Sequence, residues 1–407
     1  MSNIDDLIAE RMSLIKPSPT MAVSKLAAEL KAAGKDVIGL GAGEPDFDTP
    51  DHIKLAAIEA IKSGQTKYTA VDGTPALKQA VSNKFQRDNN IKYNSDEIII
   101  SVGGKQVLFN ALLSSINPGD EVIIPSPYWV SYPDMVALAG GKPIIVEGKF
   151  ENDFKIMPED IKDKISTKTK WIIINSPSNP TGSSYSKEEL KNIGDLLLNY
   201  KNVFIMSDDI YEKIIYDDNK FYTIAQIVPE LKDRILTVNG VSKAYAMTGW
   251  RIGYAGGPKI LISAMAKLQS QSTSNPSSIS QAAALAALEG PEDFLAERNK
   301  KFKIRRNMVV EQLNKCNGVH CLLPMGAFYV YPSCAGVIGK QTPSGQIVHN
   351  SIDFSSYLLE EVGVAVVPGS AFGADPFFRL SYAISDSVLE EACNRIKKAC
   401  DQLKYCA

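Results

Sequence analysis

The sequence predicts an α/β protein: a large domain on an open, mostly parallel sheet with helices on both faces, and a smaller α/β domain. Three observations lead there. Apolar runs of strand length alternate with helix-length amphipathic stretches through the middle of the chain. Polar and glycine-rich loops follow the ends of those runs, where open α/β sheets bind their ligands. From about residue 292 the pattern changes to a long basic helix, short strands and an irregular stretch rich in Gly, Ser and Pro.

In chain order, residues 1–46 form an N-terminal arm expected to pack with the C-terminal domain, because 26–33 is amphipathic and needs a partner face. Residues 47–291 form the large domain. Its strand candidates are 97–102, 121–125, 143–146, 171–175, 203–207 and 235–238. Helical periodicity covers 74–90, 106–116, 132–139, 187–199 and 280–288, while 164–170, basic and polar, reads as a solvated turn. Residues 292–407 form the small domain. It has a helix over 294–314, a strand over 327–331, an irregular stretch over 332–345, a helix over 351–361, strands over 365–367 and 378–381, and a final helix over 387–403.

The chain has 407 residues, room for a large core and, at roughly 100–200 residues per domain, two or three domains. Lys and Arg number 44 against 46 Asp and Glu, a net charge of -2. That balance gives no field for nucleic acid or a membrane surface. An anionic ligand must then be held by individual side chains. The cysteines are Cys316, Cys321, Cys334, Cys393, Cys400 and Cys406. None forms a Cys-x-x-Cys pair and no histidine flanks them at zinc-like spacing, so they read as free thiols in a reducing cytosol, with no metal. The start, Met1 to Asp6, lacks a basic segment and a long apolar core, so it is not a signal peptide. No apolar run approaches the ~18–20 residues of a membrane span. A cytoplasmic location is expected.

Four polar loops follow four strand candidates: Gly103-Gly104-Lys105, Asn175-Ser176-Pro177-Ser178-Asn179-Pro180, Asp208-Asp209-Ile210-Tyr211, and Asn239 to Lys243. The last is the most informative. A lysine at a strand mouth, crowded by aromatics, can be desolvated and made nucleophilic. By residue type alone it is more often solvated. Arg251, eight residues on, can hold an anion. One lysine for a carbonyl and one arginine for a phosphate is what pyridoxal phosphate requires.

These motifs stand in order with Gly43-Glu44-Pro45-Asp46-Phe47-Asp48-Thr49-Pro50, Lys67-Tyr68-Thr69, Ser126-Pro127-Tyr128-Trp129-Val130-Ser131-Tyr132 and Arg379-Leu380-Ser381-Tyr382. Together they resemble the class I pyridoxal-phosphate-dependent aminotransferases, and within them the bacterial-type aspartate aminotransferases. The resemblance runs nearly end to end and implies the fold type I architecture of that family. It implies that Lys243 is the Schiff-base lysine and proton shuttle, and that Asp208 pairs with the pyridine nitrogen. Asp is also a common helix cap, which is the alternative for Asp208. Asp209 stands where the family usually has Glu. Tyr211 and Asn179 would donate to the cofactor's phenolic oxygen, although Asn179-Pro180 also reads as a plain turn. Trp129 would stack on the pyridine ring or be a core aromatic. Gly104, Lys105, Ser242 and Arg251 would surround the phosphate, with Gly240 where many relatives carry Ser. Tyr68 would reach the phosphate of a partner subunit, implying a homodimer with shared active sites; otherwise it is a core tyrosine.

For the substrate, the resemblance implies that Arg379 clamps the α-carboxylate rather than forming a surface ion pair, and that the Gly43 backbone comes close. Lys105 would contact the distal carboxylate, or serve only the phosphate. The loop Lys16-Pro17-Ser18-Pro19-Thr20 would close over the ligand and supply the Ser18 and Thr20 hydroxyls. The implied reaction is ping-pong transfer from L-aspartate to 2-oxoglutarate, giving oxaloacetate and L-glutamate, with prephenate as a further acceptor left open. Two alternatives share part of this pattern. A lyase or synthase on the same cofactor would use the same Lys243, Asp208 and Arg379. A ligand-sensing regulator would need a DNA-binding extension and a basic patch, and neither is evident.

Overall fold

The computed structural model describes residues 7–405. The expected absence of a signal peptide at residues 1–6 and the expected thiol of Cys406 lie outside them. After a short first strand, β1 (Ile38–Gly39), the chain lays down β2 (Ile98–Ser101), β3 (Glu121–Ser126), β4 (Lys142–Glu147), β5 (Thr169–Asn175), β6 (Phe204–Asp208), β7 (Ile235–Gly240) and β8 (Gly253–Gly256). The seven from β2 to β8 form one sheet in the order β2-β8-β7-β6-β5-β3-β4. From β4 through β7 the pairings are parallel, and β8 alone runs antiparallel to its neighbours.

Alternation along the strands divides the core between the two faces. Ile98, Ile100, Ile123, Ile172, Ile174, Ile205 and Ile235 pack on one side. Ile99, Val122, Ile124, Trp171, Ile173, Met206 and Leu236 pack on the other. Both faces are covered by helices, which is why these strands read as continuous apolar runs. The helices Pro75–Asn89, Lys187–Leu198 and Ser278–Glu289 cover the first face, and Gly104–Ser115, Ser131–Leu138 and Lys259–Ser270 the second. Caps define several ends: Thr74 accepts from the Leu77 amide at 3.3 Å and Ser186 from that of Glu189 at 3.2 Å.

Two local expectations need correction. The segment 164–170 is not wholly a solvated turn: β5 starts at Thr169, which is buried and pairs with Glu121. Strand β8 was not anticipated. Its sequence, Gly253-Tyr254-Ala255-Gly256, has no alternation to read. Packing explains the glycine at its head: a Cβ on Gly253 would lie 2.2 Å from the Gly104 nitrogen.

The C-terminal part adds β9 (Tyr329–Val330), β10 (Lys340–Gln341), β11 (Val364–Ala365), β12 (Val367–Pro368), β13 (Phe378–Ser381) and β14 (Lys404–Tyr405). β12, β13 and β9 form an antiparallel sheet. The long helix Asp293–Leu313, the helix Ser351–Val362 and the helix Asp386–Gln402 share one apolar core around it. β1 pairs in parallel with β11, and Ile38 and Leu40 join the same core. The stretch 332–345 is less irregular than expected, since it contains a 3-10 turn, Ala335–Val337, and β10.

Near the N-terminus, Pro19 and Thr20 open the helix Pro19–Ala32, so Thr20 stands on a helix rather than in a loop. Proline at the first helical position fits there because its missing N–H is unneeded. Among the described residues no helix is long and apolar enough to cross a membrane.

Candidate active site

Parallel register brings the polar loops together. Asn175 at the end of β5 pairs with Asp208 at the end of β6, and Asp208 pairs with Val238 in β7. Beyond these ends opens a cavity of about 590 Å³. Its wall includes Thr20, Gly43, Gly104, Lys105, Trp129, Asn179, Asp208, Tyr211, Ser242, Lys243, Arg251 and Arg379, twelve of the fourteen residues expected there. The two outside it are Ser18 and Tyr68. The Ser18 hydroxyl lies 3.0 Å from that of Thr20, so it supports Thr20 rather than facing the cavity. Tyr68 is 90% exposed, which removes the core alternative.

Lys243 is half-buried and its Nζ donates to the Gly43 carbonyl at 2.6 Å. Burial, then the Arg379 and Arg251 charges, pull its pKa from 10.5 to about 8, against the opposing pull of Glu44 and Asp208. The neutral amine therefore forms as pH rises through about 8. In cofactor-free protein, the rate at which an amine-reactive reagent labels Lys243 is expected to rise with pH about that midpoint. A midpoint near 10.5, that of a solvated lysine, would show that the Lys243 amine is not desolvated.

Asp208 is buried at the end of β6 and accepts from the Tyr132 hydroxyl at 2.6 Å. Burial raises its pKa, while the Tyr132 bond, the Ile210 amide and Lys243 oppose the rise. A turn follows β6, and the next helix starts at Ile224, so Asp208 caps no helix. Asp209 is a separate case. It is buried, it accepts from Ser207 Oγ at 2.7 Å, burial pushes it up to about 7, and it does not line the cavity. Tyr211 is buried with its hydroxyl 2.8 Å from that of Tyr329. Trp129 is half-buried, edge-on to Tyr132, with Lys105 Nζ 4.8 Å from its ring centroid.

Arg379 on β13 is 2% exposed. Nη1 donates to Asn179 Oδ1 at 2.8 Å and Nη2 to the Gly41 carbonyl at 2.5 Å. The Tyr329 and Phe372 rings lie 4.5 Å and 5.0 Å from the guanidinium carbon. Nε has no partner, and no carboxylate forms an ion pair with Arg379 among the described residues. The surface ion-pair alternative is therefore excluded. A buried cation without a counter-ion is costly, and a carboxylate entering the cavity would relieve it.

A second anion corner lies at the start of the helix Gly104–Ser115. Gly103 has φ 84°, a left-handed backbone that favours glycine, and a Cβ there would stand 2.4 Å from Arg251 Nη2 and push that guanidinium aside. Free helical N–H groups and Arg251, itself held by Nη1 donating to the Thr248 carbonyl at 2.9 Å, converge there. Gly240 also has a packing cause. A Cβ would lie 3.1 Å from both Ile210 Cδ1 and the Ile252 carbonyl, closer than ordinary contact.

Sequence reasoning gave no role to Tyr132, Tyr329, Gly41, Glu44 or Thr248, all on the cavity wall. Tyr132 had a signal, its place three residues after Trp129 in the aromatic run Tyr128 to Tyr132. Tyr329 had none, because it meets Tyr211 across 118 residues of chain.

The family model described as aminotransferase class I and II matches residues 35–396. A probable aspartate/prephenate aminotransferase of Rickettsia felis is 58% identical over 397 residues, covering 98% of this chain and 97% of the relative. An aspartate aminotransferase of Rhizobium meliloti is 55% identical over 395 residues, covering 97% of this chain and 96% of the relative. The crystal structure of the aspartate aminotransferase from Rhizobium meliloti superposes with a TM-score of 0.95 at 54% identity, covering 98% of this chain and 99% of that one. The Thermus thermophilus aspartate aminotransferase with maleate gives 0.90 at 42%, covering 96% and 99%. With the family model matched across most of its length and relatives paired with it from end to end, the chain belongs to the class I and II aminotransferases, enzymes that transfer amino groups.

Proposed function

We propose that the enzyme transfers the amino group of L-aspartate to 2-oxoglutarate by a ping-pong reaction on pyridoxal 5′-phosphate, giving oxaloacetate and L-glutamate. The observation that carries the reading is Arg379, a buried cation without a counter-ion, sharing one cavity with the depressed amine of Lys243. Lys105 supplies a second cation for a second carboxylate. The Thermus relative solved with maleate, a dicarboxylate, supports that choice, as do the relatives' names.

The residues fit the cofactor. The uncapped start of the helix Gly104–Ser115, with Gly104 and Arg251 on the cavity wall, suits a phosphate, and the buried Asp208 suits a protonated ring nitrogen. When bound, pyridoxal phosphate supplies a carbonyl for the substrate amine and a ring that takes up the electron pair left at Cα. Asp208 holds the proton on the ring nitrogen. Tyr211 and Asn179 donate to the phenolic oxygen, with Asn179 Nδ2 available because Oδ1 is taken by Arg379. Trp129 covers the ring face. Gly104, Lys105, Ser242 and Arg251 surround the phosphate, joined by Tyr68 of a second copy. Lys243 Nζ takes the proton from Cα and returns it. Arg379 and the Gly43 backbone fix the α-carboxylate end, and Thr20, backed by Ser18, closes the other.

The unit formed by residues 47–291 then holds the cofactor, and residues 292–407 with 1–46 carry Arg379 to it. Exposed Leu55, Ile58 and Ile61 on the helix Asp51–Lys62, with Tyr68, support a homodimer. The buried free cysteines suit a reducing cytoplasm. Prephenate as an additional acceptor is supported by the names of the relatives.

The test is a half-reaction screen of amino donors, followed by acceptors including prephenate. Aspartate and glutamate are expected to react in preference to alanine. Lys105→Ala is expected to slow aspartate about tenfold more than alanine, the scale of one charge-assisted hydrogen bond. Equal losses would assign Lys105 to the phosphate instead, and a preference for alanine in the native enzyme would refute the diacid reading.

A further inference from the structure

We infer that Glu292 is a positioning residue for Lys243, holding the Lys243 turn and the Tyr211 turn together through Tyr245 and Lys213. The inference rests on reading Lys243 as the reactive lysine. Tyr245 lies two residues after Lys243, is buried, and its hydroxyl donates to Glu292 Oε1 at 2.5 Å. Lys213 lies two residues after Tyr211, and its ammonium donates to Glu292 Oε2 at 2.8 Å. Each carboxylate oxygen thus holds one strand-end turn, one following β6 and one following β7.

The charges around this clasp balance. Lys213 also meets Asp88 at 3.0 Å, and Arg87 lies 3.9 Å from Glu292. The wholly buried Lys84 pairs with Glu212, which also accepts from Asn89 at 3.0 Å. Three cations, Lys84, Arg87 and Lys213, therefore face three anions, Asp88, Glu212 and Glu292. Phe294 closes the apolar side, 6.0 Å from the Tyr245 ring. Glu292 also stands immediately before the long helix Asp293–Leu313, so the clasp joins both turns to the base of that helix.

The chain between anchor and reactive group is short. Two residues of backbone span at most about 7 Å, so freedom at Tyr245 becomes freedom at Lys243. The groups facing Lys243 itself are Arg379, Arg251, Glu44, Asp208 and the Tyr211 ring, and its amine is fixed at Gly43 only while the turn is fixed. A loosened turn lets water reach the amine and moves its pKa upward, toward that of a solvated lysine.

Tyr245→Phe removes one hydroxyl and keeps the ring, while Glu292→Gln keeps an acceptor for Tyr245 and removes the charge facing Lys213. Four quantities are measured: the pH midpoint of Lys243 labelling in cofactor-free protein, kcat and KM for aspartate, and the melting temperature. In Tyr245→Phe the midpoint is expected to rise by about half a pH unit or more. Its kcat is expected to fall about tenfold with KM within about twofold of native. Glu292→Gln is expected to stay closer to native in both. A lowered melting temperature with native midpoint and native kcat would make the clasp purely structural and overturn the inference. If Tyr245→Phe does not fold, Glu292→Ala is read the same way. Lys243→Ala separates the two readings: turnover retained there defeats the assignment of Lys243, whereas turnover lost there with a native Tyr245→Phe defeats only the clasp.

Discussion

Lys243→Ala is expected to lower transamination by about 10⁴-fold or more, because it removes the group that moves the Cα proton as well as the covalent anchor. Among the described residues only one other lysine, Lys105, lines the cavity. Its ammonium lies over the Trp129 ring, 4.8 Å from the centroid. The loss is also expected to be chemical rather than structural. The Lys243 amine makes one hydrogen bond, to Gly43, and its charged form is disfavoured by burial. Removing it should leave the melting temperature of the cofactor-free protein within a few degrees of native. The check is a single-turnover assay with aspartate beside a thermal melt. A variant that keeps turnover within about tenfold of native would end the assignment, since a general acid–base group contributes more than that.

Arg379→Met should separate binding from stability. Loss of a buried charge-assisted pair costs about 2–5 kcal/mol, or about 30- to 5,000-fold in affinity for a substrate carboxylate. Isothermal titration with a dicarboxylate such as maleate reads this directly. Folding should respond differently. Among the described residues Arg379 has no carboxylate partner and donates to Asn179 and the Gly41 carbonyl, and a buried unpaired charge opposes folding. The variant is expected to be within about 1 kcal/mol of native stability, or above it. A large fall in stability with native affinity would show that Arg379 serves the fold and not the ligand.

Much of this architecture is legible in the chain because its signals are local. The runs that became β2 through β7 are short, apolar and bounded by polar loops, as strands buried on both faces must be. The segment with Ser242, Lys243 and Arg251 reaches one cavity because the spacing is fixed within a single stretch of chain. What escaped reading depends on distant parts of the chain. β8 is short and glycine-headed because another backbone presses against it. Tyr329 meets Tyr211, and Arg379 meets Asn179, across 118 and 200 residues. Thr20 reads as a loop residue in the sequence because the proline before it fits a turn and a helix start equally.

The contact between Gly253 and Gly104 bears on how such an enzyme can be re-engineered. Bare backbone touches bare backbone there, so the start of the helix Gly104–Ser115 is fixed against the sheet with no side chain left to adjust. Libraries that vary position 253, where a Cβ would meet the backbone at 103 and 104, or position 103, which needs a left-handed φ, will mostly return proteins with a displaced helix start, whatever substrate they were selected for. Diversity is better spent at Thr20, Met21 and Ser24, which meet the same cavity from a helix whose side chains change without moving that helix start.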